Sequence, residues 1–295
     1  MPDPIIVVLR RGSLVEAAHR VHAVAVHDGA VVEAAGESEL VTFMRSAAKP
    51  IQALPLVRAR DDLDETEVAI ASASHLADED QLTAVVGLLA KAGASEDELE
   101  CGPAGEPPSR LKHNCSGKHA AMLLLCQTKG WPTAGYRLAA HEVQRAMLHE
   151  LAEAAELPPD QLETAVDGCG VVTFGLPLER MALAFARLES LEGGARIGAA
   201  MRARPELIRG ERALDTRLMR LLPGWTAKGG AEGVFCAASP DGVGVALKAE
   251  DGAQRALEPA LAVLLERLDH AVPELARPPV LNSRGESIGE LVAQA

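Results

Sequence analysis

The stretch Asn114-Cys115-Ser116-Gly117-Lys118-His119-Ala120-Ala121-Met122-Leu123-Leu124-Leu125-Cys126 decides the fold, because polar side chains stand directly before a long apolar run. The pattern predicts a buried helix with Asn114 as its N-cap and Gly130 as its stop. Cys115, Lys118 and His119 are spaced i, i+3 and i+4, so they share one face of its first turn. A helix N-terminus lowers the pKa of a thiol. The stretch therefore indicates either a reactive site or a structural cysteine beside a solvated lysine.

Composition limits the classes of partner. The chain has 295 residues, a net charge of −13 and only 2% aromatic residues. An acidic surface with few stacking platforms argues against nucleic acid and anionic membranes as partners. The first apolar run, Ile5–Leu9, is far too short to span a bilayer and does not form a signal peptide. We expect a cytoplasmic protein whose five cysteines are not a disulfide framework.

Strand patterns gather at the two ends of the chain, and helical patterns fill the middle. Apolar β-runs stand at Ile5–Leu9, Val21–Val26 and Val31–Val32 near the start, and at Val234–Ala238 and Val243–Lys248 near the end. The helical patterns are Asp78–Ala92, Glu142–Ala155, Leu178–Leu191, Arg212–Leu222 and Leu257–Leu268. We therefore predict one domain, residues 1–295, of class α+β (α/β), with an antiparallel sheet built from both termini and helices packed around it.

Ser46 and Lys49 form a Ser-x-x-Lys pair at a predicted helix start. On a helix the two side chains are neighbours, so a neutral lysine can take the proton of the serine. A lysine is neutral at pH 7 only if burial or a nearby cation lowers its pKa, and the apolar flanks suit burial. The alternative is a solvated helix face. Pro55, six residues on, predicts a kink or an early end of this helix.

A second serine–lysine pair is suggested further along the chain. The serine is Ser72 or Ser74, and the lysine is Lys228 or Lys248. Lys228 precedes two glycines, as in the Lys-Thr-Gly element of penicillin-recognising enzymes, whereas Lys248 ends an apolar strand. Nothing local decides between these alternatives.

Two thiols and an amine provide a candidate metal site. Cys115, Lys118 and Cys169 can hold a soft divalent metal with one position left for water, although no standard zinc spacing is present. Two free core cysteines, or a reversible disulfide between them, are the alternatives. Asp167, just before Gly168, can hold a substrate α-amino group or cap its own turn.

Four segments occur together and in order: 45–50 (Arg-Ser-Ala-Ala-Lys-Pro), 113–119 (His-Asn-Cys-Ser-Gly-Lys-His), 167–170 (Asp-Gly-Cys-Gly) and 228–233 (Lys-Gly-Gly-Ala-Glu-Gly). Together they resemble the asparaginase II family, the thermolabile, Rhizobium-type L-asparaginases. The resemblance spans about residues 5 to 255. It implies a fold similar to serine β-lactamases and glutaminases, and a homodimer that hydrolyses L-asparagine to L-aspartate and ammonia.

The resemblance also implies roles for individual residues. Ser46 with Lys49 matches the first serine–lysine pair of the family, and Ser74 with Lys248 is the best match to the second. The matched zinc ligands are Cys115, Lys118 and Cys169, and the matched pocket residues are Arg45, His119 and Asp167. Zinc is then expected to position the substrate, since the two pairs already supply bases.

One segment departs from the family pattern. The family follows its second serine with His-Ser-Gly-Glu, whereas this chain has His75, Leu76, Ala77 and Asp78 after Ser74. We expect the departure to affect substrate fit more than fold. The rival functions are another amidase or peptidase of the penicillin-recognising fold, and a non-catalytic zinc or thiol redox sensor that uses Cys115 and Cys169.

Overall fold

The computed structural model describes residues 2–294 and combines an antiparallel sheet with a helical region. The strands are β1 (Ile5–Arg11), β2 (Leu14–His27), β3 (Ala30–Ala35), β4 (Val41–Phe43), β5 (Glu163–Val166), β6 (Val172–Pro177), β7 (Thr226–Gly230), β8 (Val234–Ala238), β9 (Gly244–Ala249), β10 (Pro279–Leu281) and β11 (Ser287–Ala293). The helices are α1 (Lys49–Gln52), α2 (Leu54–Ala59), α3 (Glu65–Ala71), α4 (Glu79–Ala92), α5 (Ser116–Lys129), α6 (Glu142–Ala155), α7 (Leu178–Arg187), α8 (Gly194–Ala203), α9 (Pro205–Arg209), α10 (Leu214–Leu221), α11 (Leu257–Arg267) and α12 (Pro273–Ala276). The predicted α+β class is confirmed.

The main sheet has eight strands in the order β10-β11-β1-β2-β9-β8-β7, with β3 paired to β2. Strand β1 pairs antiparallel with β2 and with β11, and β2 pairs antiparallel with β9. The N-terminal strands β1 and β2 therefore lie between strands from the C-terminal part of the chain, and the sheet is built from both termini as the sequence predicts. A smaller sheet has the order β4-β6-β5.

The chain folds into two compact units, each made of separate segments. One contains residues up to Thr42, Leu176–Ala186 and the residues from Gly229 onward, and the other contains Phe43–Gly175 and Arg187–Lys228. The first unit contains most of the main sheet, and the second contains most of the helices. Neither unit is continuous in sequence, and the single domain 1–295 stays a prediction.

The turn between β2 and β3 shows how local chemistry starts the sheet. Asp28 and Gly29 both have positive φ, 50° and 77°. Two successive positive φ angles give a turn whose twist matches that of a β-hairpin, and aspartate followed by glycine accepts them readily. The turn joins the two β-runs predicted at Val21–Val26 and Val31–Val32 into an antiparallel hairpin.

Helix α5 is almost entirely buried, as its apolar run predicts, and it ends at Gly130 with φ 68°. The N-cap is Cys115 rather than the predicted Asn114, so the helix begins one residue later. A Cβ at Gly117 would clash with the carbonyl oxygen of Ile70. Glycine therefore lets the first turn of α5 approach the end of α3, and this contact brings the two polar segments of the second unit together.

The predicted interruption near Pro55 is also present. Helix α1 ends at Gln52, and Pro55 lies in the first turn of α2, where a missing N–H costs nothing. Within residues 2–294, no helix combines the length and the apolar character needed to cross a membrane.

Candidate active site

Lys49 lies at the centre of a polar cluster in the second unit. Its side chain is 0% exposed, and its ammonium donates to the carbonyl oxygen of Ala73 at 2.5 Å and to Oγ of Ser74 at 3.0 Å. Burial lowers the pKa of Lys49 against the opposing effect of the nearby Cys115 sulfur. The result is a buried amine that donates to a hydroxyl and lies near a thiol.

Ser46 stands one turn before Lys49 in a short 3₁₀ segment, Arg45–Ala48. Its side chain is half-buried, and among the described residues its hydroxyl has no hydrogen-bond partner. Side chains in a helical turn lean toward the N-terminus, so the lysine extends toward the level of Ser46. Arg45, directly before it, has φ 52°. A non-glycine residue in this conformation is strained, and such strain collects at functional sites.

The predicted pairing of Ser74 with Lys248 stays a prediction, and the structure describes a different partner for each of the two residues. Ser74 accepts its hydrogen bond from Lys49. Lys248 belongs to the other unit, where its amine donates to the backbone carbonyl oxygens of Glu232 and Ala249. The strand position of Lys248 could not reveal this, because its acceptors are backbone atoms supplied by the fold.

Lys228 is another buried lysine of the unit that contains Lys49. It is 0% exposed, and its amine lies 3.6 Å from Oδ1 of Asp215. Burial lowers the pKa of Lys228 to about 7, and the charge of Lys49 acts in the same direction. Lys228, which precedes two glycines, was one of the two sequence alternatives, and the choice between Lys228 and Lys248 stays open.

Cys115, Lys118 and Cys169 come together as the sequence predicts. Their side chains lie close enough to shift one another's pKa values. Cys169, aided by Lys49, holds the pKa of Cys115 well below its usual value, and Cys115 together with burial raises the pKa of Cys169. Burial works to lower the pKa of Lys118, but the neighbouring sulfurs outweigh it and the pKa is raised.

These three donors suit a soft divalent metal. Two sulfurs and an amine are donor types that zinc accepts, once the ligands have lost their protons. Within the described part of the chain, no group of three or more His, Cys, Asp and Glu side chains could hold a metal. The set here differs in kind, since its third member is a lysine.

Arg45 and Asp167 form an ion pair at the edge of the cluster. Nε of Arg45 donates to Oδ1 of Asp167 at 2.8 Å, and the same oxygen accepts the N–H of Gly168 at 2.8 Å. The carboxylate therefore caps its own turn and also holds the guanidinium. Its other oxygen lies 3.9 Å from the sulfur of Cys169. The ion pair thus ties the strained turn before Ser46 to the segment that carries the second thiol.

His119 lies beside this cluster, fully buried. Its Nδ1 is 2.6 Å from the hydroxyl oxygen of Tyr136, and the two rings meet edge to face. Burial and the charge of Lys118 hold the pKa of His119 well below its usual value. Sequence reasoning missed Tyr136. Its one available signal is that it is the only tyrosine of the chain.

His75, directly after Ser74, was also missed as a site residue. Its Nδ1 accepts the N–H of Ala77 at 3.1 Å, so its Nε2 carries the hydrogen and donates to Oγ of Ser116 at 2.7 Å. Ser116 in turn donates to the carbonyl oxygen of Leu111 at 2.8 Å. Burial lowers the pKa of His75 to about 4, with a further contribution from Lys49. The neutral ring therefore joins the Ser74 segment to the start of α5.

Comparisons with known proteins were made against families, curated sequences and solved structures. The profile of the L-asparaginase II family matches residues 7–293. The search of curated proteins found no significant match. Among solved structures, Mglu in its native form is similar at 16% identity, with 86% of this chain and 62% of that chain covered and a TM-score of 0.47. EstCE1, a hydrolase with promiscuous acyltransferase activity, has 14% identity, coverage of 79% and 89%, and a TM-score of 0.42. The Bacillus subtilis glutaminase YbgJ has 14% identity, coverage of 85% and 89%, and a TM-score of 0.38.

The chain thus spans less than two thirds of the length of Mglu. All three TM-scores lie below 0.5, so the family match carries the assignment.

Proposed function

Because the chain belongs to the L-asparaginase II family and is therefore an amidohydrolase, we propose that it hydrolyses L-asparagine to L-aspartate and ammonia by serine–lysine catalysis. The observation that carries the proposal is the position of Lys49. Its amine is buried, lies 3.0 Å from Oγ of Ser74, and stands one helical turn after Ser46. One base can thus serve two hydroxyl groups.

Ser46 is the proposed nucleophile. An attacking hydroxyl must be reachable by the substrate, and Ser46 is half-buried with no hydrogen-bond partner among the described residues. Neutral Lys49 takes its proton as Oγ attacks the side-chain amide carbon of asparagine. The lowering of the lysine pKa by burial supports this role. The Ser-x-x-Lys spacing of penicillin-recognising enzymes uses its serine in the same way.

Ser74 is the proposed proton relay. Its hydroxyl is 4% exposed and bonded to Lys49, which suits proton transfer better than attack. The proton that Lys49 received passes through Ser74 to the amide nitrogen, the carbon–nitrogen bond breaks, and ammonia leaves. Water then attacks the ester on Ser46 with the same base, releasing aspartate. Lys228, with its pKa near 7, is proposed as the second base in place of Lys248.

Charged groups around the cluster are proposed to hold the amino-acid part of the substrate. Asp167 would bind the α-amino group, and Arg45, its ion-pair partner, would bind the α-carboxylate. The positive charges of the cluster would stabilise the oxyanion that forms when Ser46 attacks. His119 completes this pocket.

Zinc would be held by Cys115, Cys169 and Lys118, whose side chains already influence one another's pKa values. When bound, it would supply a positive charge that helps to position the substrate. Cys169 and Lys118 have raised pKa values, so zinc binding at pH 8 should release about two protons. Zinc content by elemental analysis, with calorimetry in two buffers of different ionisation enthalpy, tests this.

The deciding experiment is ammonia release from L-asparagine by the purified protein under reducing conditions. L-Glutamine, a β-lactam and a short peptide serve as comparison substrates. Turnover of the β-lactam or the peptide alone would favour the other amidase or peptidase function. Thiol oxidation without any turnover would favour the redox sensor.

The homodimer and the cytoplasmic location belong to the same proposal. The family resemblance supports the dimer, and light scattering on the purified protein tests it. Five reduced, buried cysteines fit a reducing compartment. Fractionation of cells that express the chain tests the location.

A further inference from the structure

The hydroxyl of Tyr136 has two neighbours, and one of them fixes its hydrogen. The backbone N–H of Glu100 donates to the hydroxyl oxygen at 2.8 Å, and Nδ1 of His119 lies 2.6 Å from the same oxygen. A backbone N–H can only donate, so that contact uses a lone pair of the phenol. The one hydrogen of the phenol is then available for His119, and Nδ1 is the acceptor it meets.

This contact sets the tautomer of His119. If Nδ1 accepts, the ring is neutral and its hydrogen stands on Nε2. Nε2 is buried and has no hydrogen-bond partner among residues 2–294. An unpaired buried donor costs free energy, so a position of this kind is retained where a ligand supplies the acceptor.

His75 provides the contrast within the same unit. Both nitrogens of His75 are used inside the protein, one by Ala77 and one by Ser116. His119 uses only one. The charges of Cys115 and Lys49 also influence the pKa of His119. The ring therefore lies near the proposed catalytic cluster.

Tyr136 is itself held firmly. Its carbonyl oxygen accepts from Nε2 of Gln144 at 2.8 Å, and the N–H of Gly135 donates to Oε1 of Glu100 at 2.6 Å. The hydroxyl, 0% exposed, is therefore fixed in place before any ligand arrives. Because the Tyr136 hydroxyl donates to Nδ1 of His119, the hydrogen of the imidazole ring stays on Nε2.

We propose that Tyr136 is a positioning residue, whose hydroxyl holds His119 as the Nε2–H tautomer so that Nε2 donates a hydrogen bond to an oxygen atom of the bound amino-acid substrate. This inference rests on the proposed function for the identity of the substrate. Its tautomer part concerns the free protein and can be tested without any turnover.

The test is nitrogen NMR of protein labelled with ¹⁵N-histidine, with the His119 signals assigned by their loss in His119→Gln. Wild-type protein should show His119 with a bare Nδ1 and a protonated Nε2, and L-aspartate should shift mainly the Nε2 signal. Tyr136→Phe removes only the hydroxyl, and His119 should then show a mixture of tautomers. In ammonia-release assays this variant should raise KM for L-asparagine about tenfold with little change in kcat, because a ground-state contact is weakened.

Glu100→Gln is the matched control. It weakens the carboxylate contact that holds the Gly135 loop but leaves the Tyr136 hydroxyl in place. It should keep the wild-type tautomer and KM. A wild-type Nδ1–H tautomer, an unchanged tautomer in Tyr136→Phe, or the same KM rise in Glu100→Gln would each overturn the inference. A wild-type protein that releases no ammonia from L-asparagine would refute the proposed function, and the NMR spectra would still decide the tautomer.

Discussion

Two short segments carry the two candidate serines, and the hydroxyl groups of these serines have opposite environments. In residues 45–49 the hydroxyl of Ser46 is half-buried and has no partner in the described part of the chain. In residues 74–78 the hydroxyl of Ser74 is buried and bonded to Lys49, while its backbone N–H donates to Ile208 at 2.8 Å. One hydroxyl is open to a ligand and the other is committed to the protein. Ser46 and Ser74 are therefore suited to different chemical roles.

Each segment also contains a non-glycine residue with positive φ. Arg45 has φ 52° and Ala77 has φ 65°. Arg45 gains an ion pair with Asp167 from this conformation, whereas Ala77 gains one hydrogen bond, from its N–H to His75. The strained residue of the first segment, Arg45, thus makes an ion pair, and that of the second segment, Ala77, makes a neutral hydrogen bond.

Substitution of the two serines should separate their tasks most strongly. Ser46→Ala should lower kcat by about 10⁴-fold or more, because the nucleophile is lost, whereas Ser74→Ala should lower it by about 10²- to 10³-fold, because only proton transfer is impaired. Lys49→Met should match Ser46→Ala, and the double variant should be hardly worse. Ammonia release measures each rate.

Ser72→Ala is the matched control. Ser72 is the buried C-cap residue of α3, two positions before Ser74, and its hydroxyl has no hydrogen-bond partner among residues 2–294. It should keep full activity. Equal losses in Ser46→Ala and Ser74→Ala would remove the distinction between the two segments.

Substitution of Lys228 and of Lys248 should give the next largest difference in kcat. Lys228→Met should lower kcat about 100-fold, and Lys248→Met should change it less than threefold, because Lys228, unlike Lys248, is fully buried and belongs to the unit that holds both serines. If neutral Lys228 is the second base, kcat of the wild type should rise with pH through about 7, the pKa of this lysine. A kcat that falls with rising pH over that range would assign the charged form of Lys228 to catalysis instead.

The sequence predicted the parts of the fold that depend on local patterns. Helix α6 and strand β8 have their predicted bounds, because amphipathic spacing and an apolar β-run are local signals. Strand β7, which carries Lys228, was missed. Its Thr-Ala-Lys-Gly-Gly sequence has little β-propensity and is buried only by its surroundings.

The site was predictable to a similar extent. Spacing identified Ser46 with Lys49, and it placed Cys115 and Lys118 on one helical turn. The contact of Lys49 with Ser74 joins positions 25 residues apart in sequence, and only the close approach of α5 to α3 at Gly117 explains why these segments meet. The partner of Ser74 could therefore not be chosen from local sequence.

His75 should make the second segment sensitive to acid. Its pKa is about 4 in the folded protein and 6.5 in the unfolded chain, so the unfolded chain binds more protons between these values. Stability should therefore fall as pH drops from about 6.5 to 4, by about 3 kcal/mol for this group. Urea unfolding at both pH values should show a smaller loss in His75→Gln than in wild type. Exposed His149→Gln, the control, should keep the wild-type loss.

The smallest expected effect is that of Ala77→Gly on the free energy of unfolding. An L-residue in the left-handed conformation costs about 1–2 kcal/mol, and glycine recovers this but has more freedom when unfolded. Ala77→Gly should therefore raise the free energy of unfolding by up to about 1 kcal/mol. Ala146, in the interior of α6, is the control, and Ala146→Gly should be destabilising by about 1 kcal/mol. A loss of stability in Ala77→Gly would show that the φ of Ala77 is not strained.

The central claim, that Ser46 attacks while Ser74 relays the proton, is tested most directly by covalent labelling of the attacking serine. The protein is treated with a diazoketone analogue of L-asparagine, digested, and analysed by tandem mass spectrometry. We predict one covalent adduct on Ser46, still formed in Ser74→Ala at a lower rate and absent in Ser46→Ala. An adduct on Ser74 in the wild type, or labelling that persists in Ser46→Ala, would contradict the account.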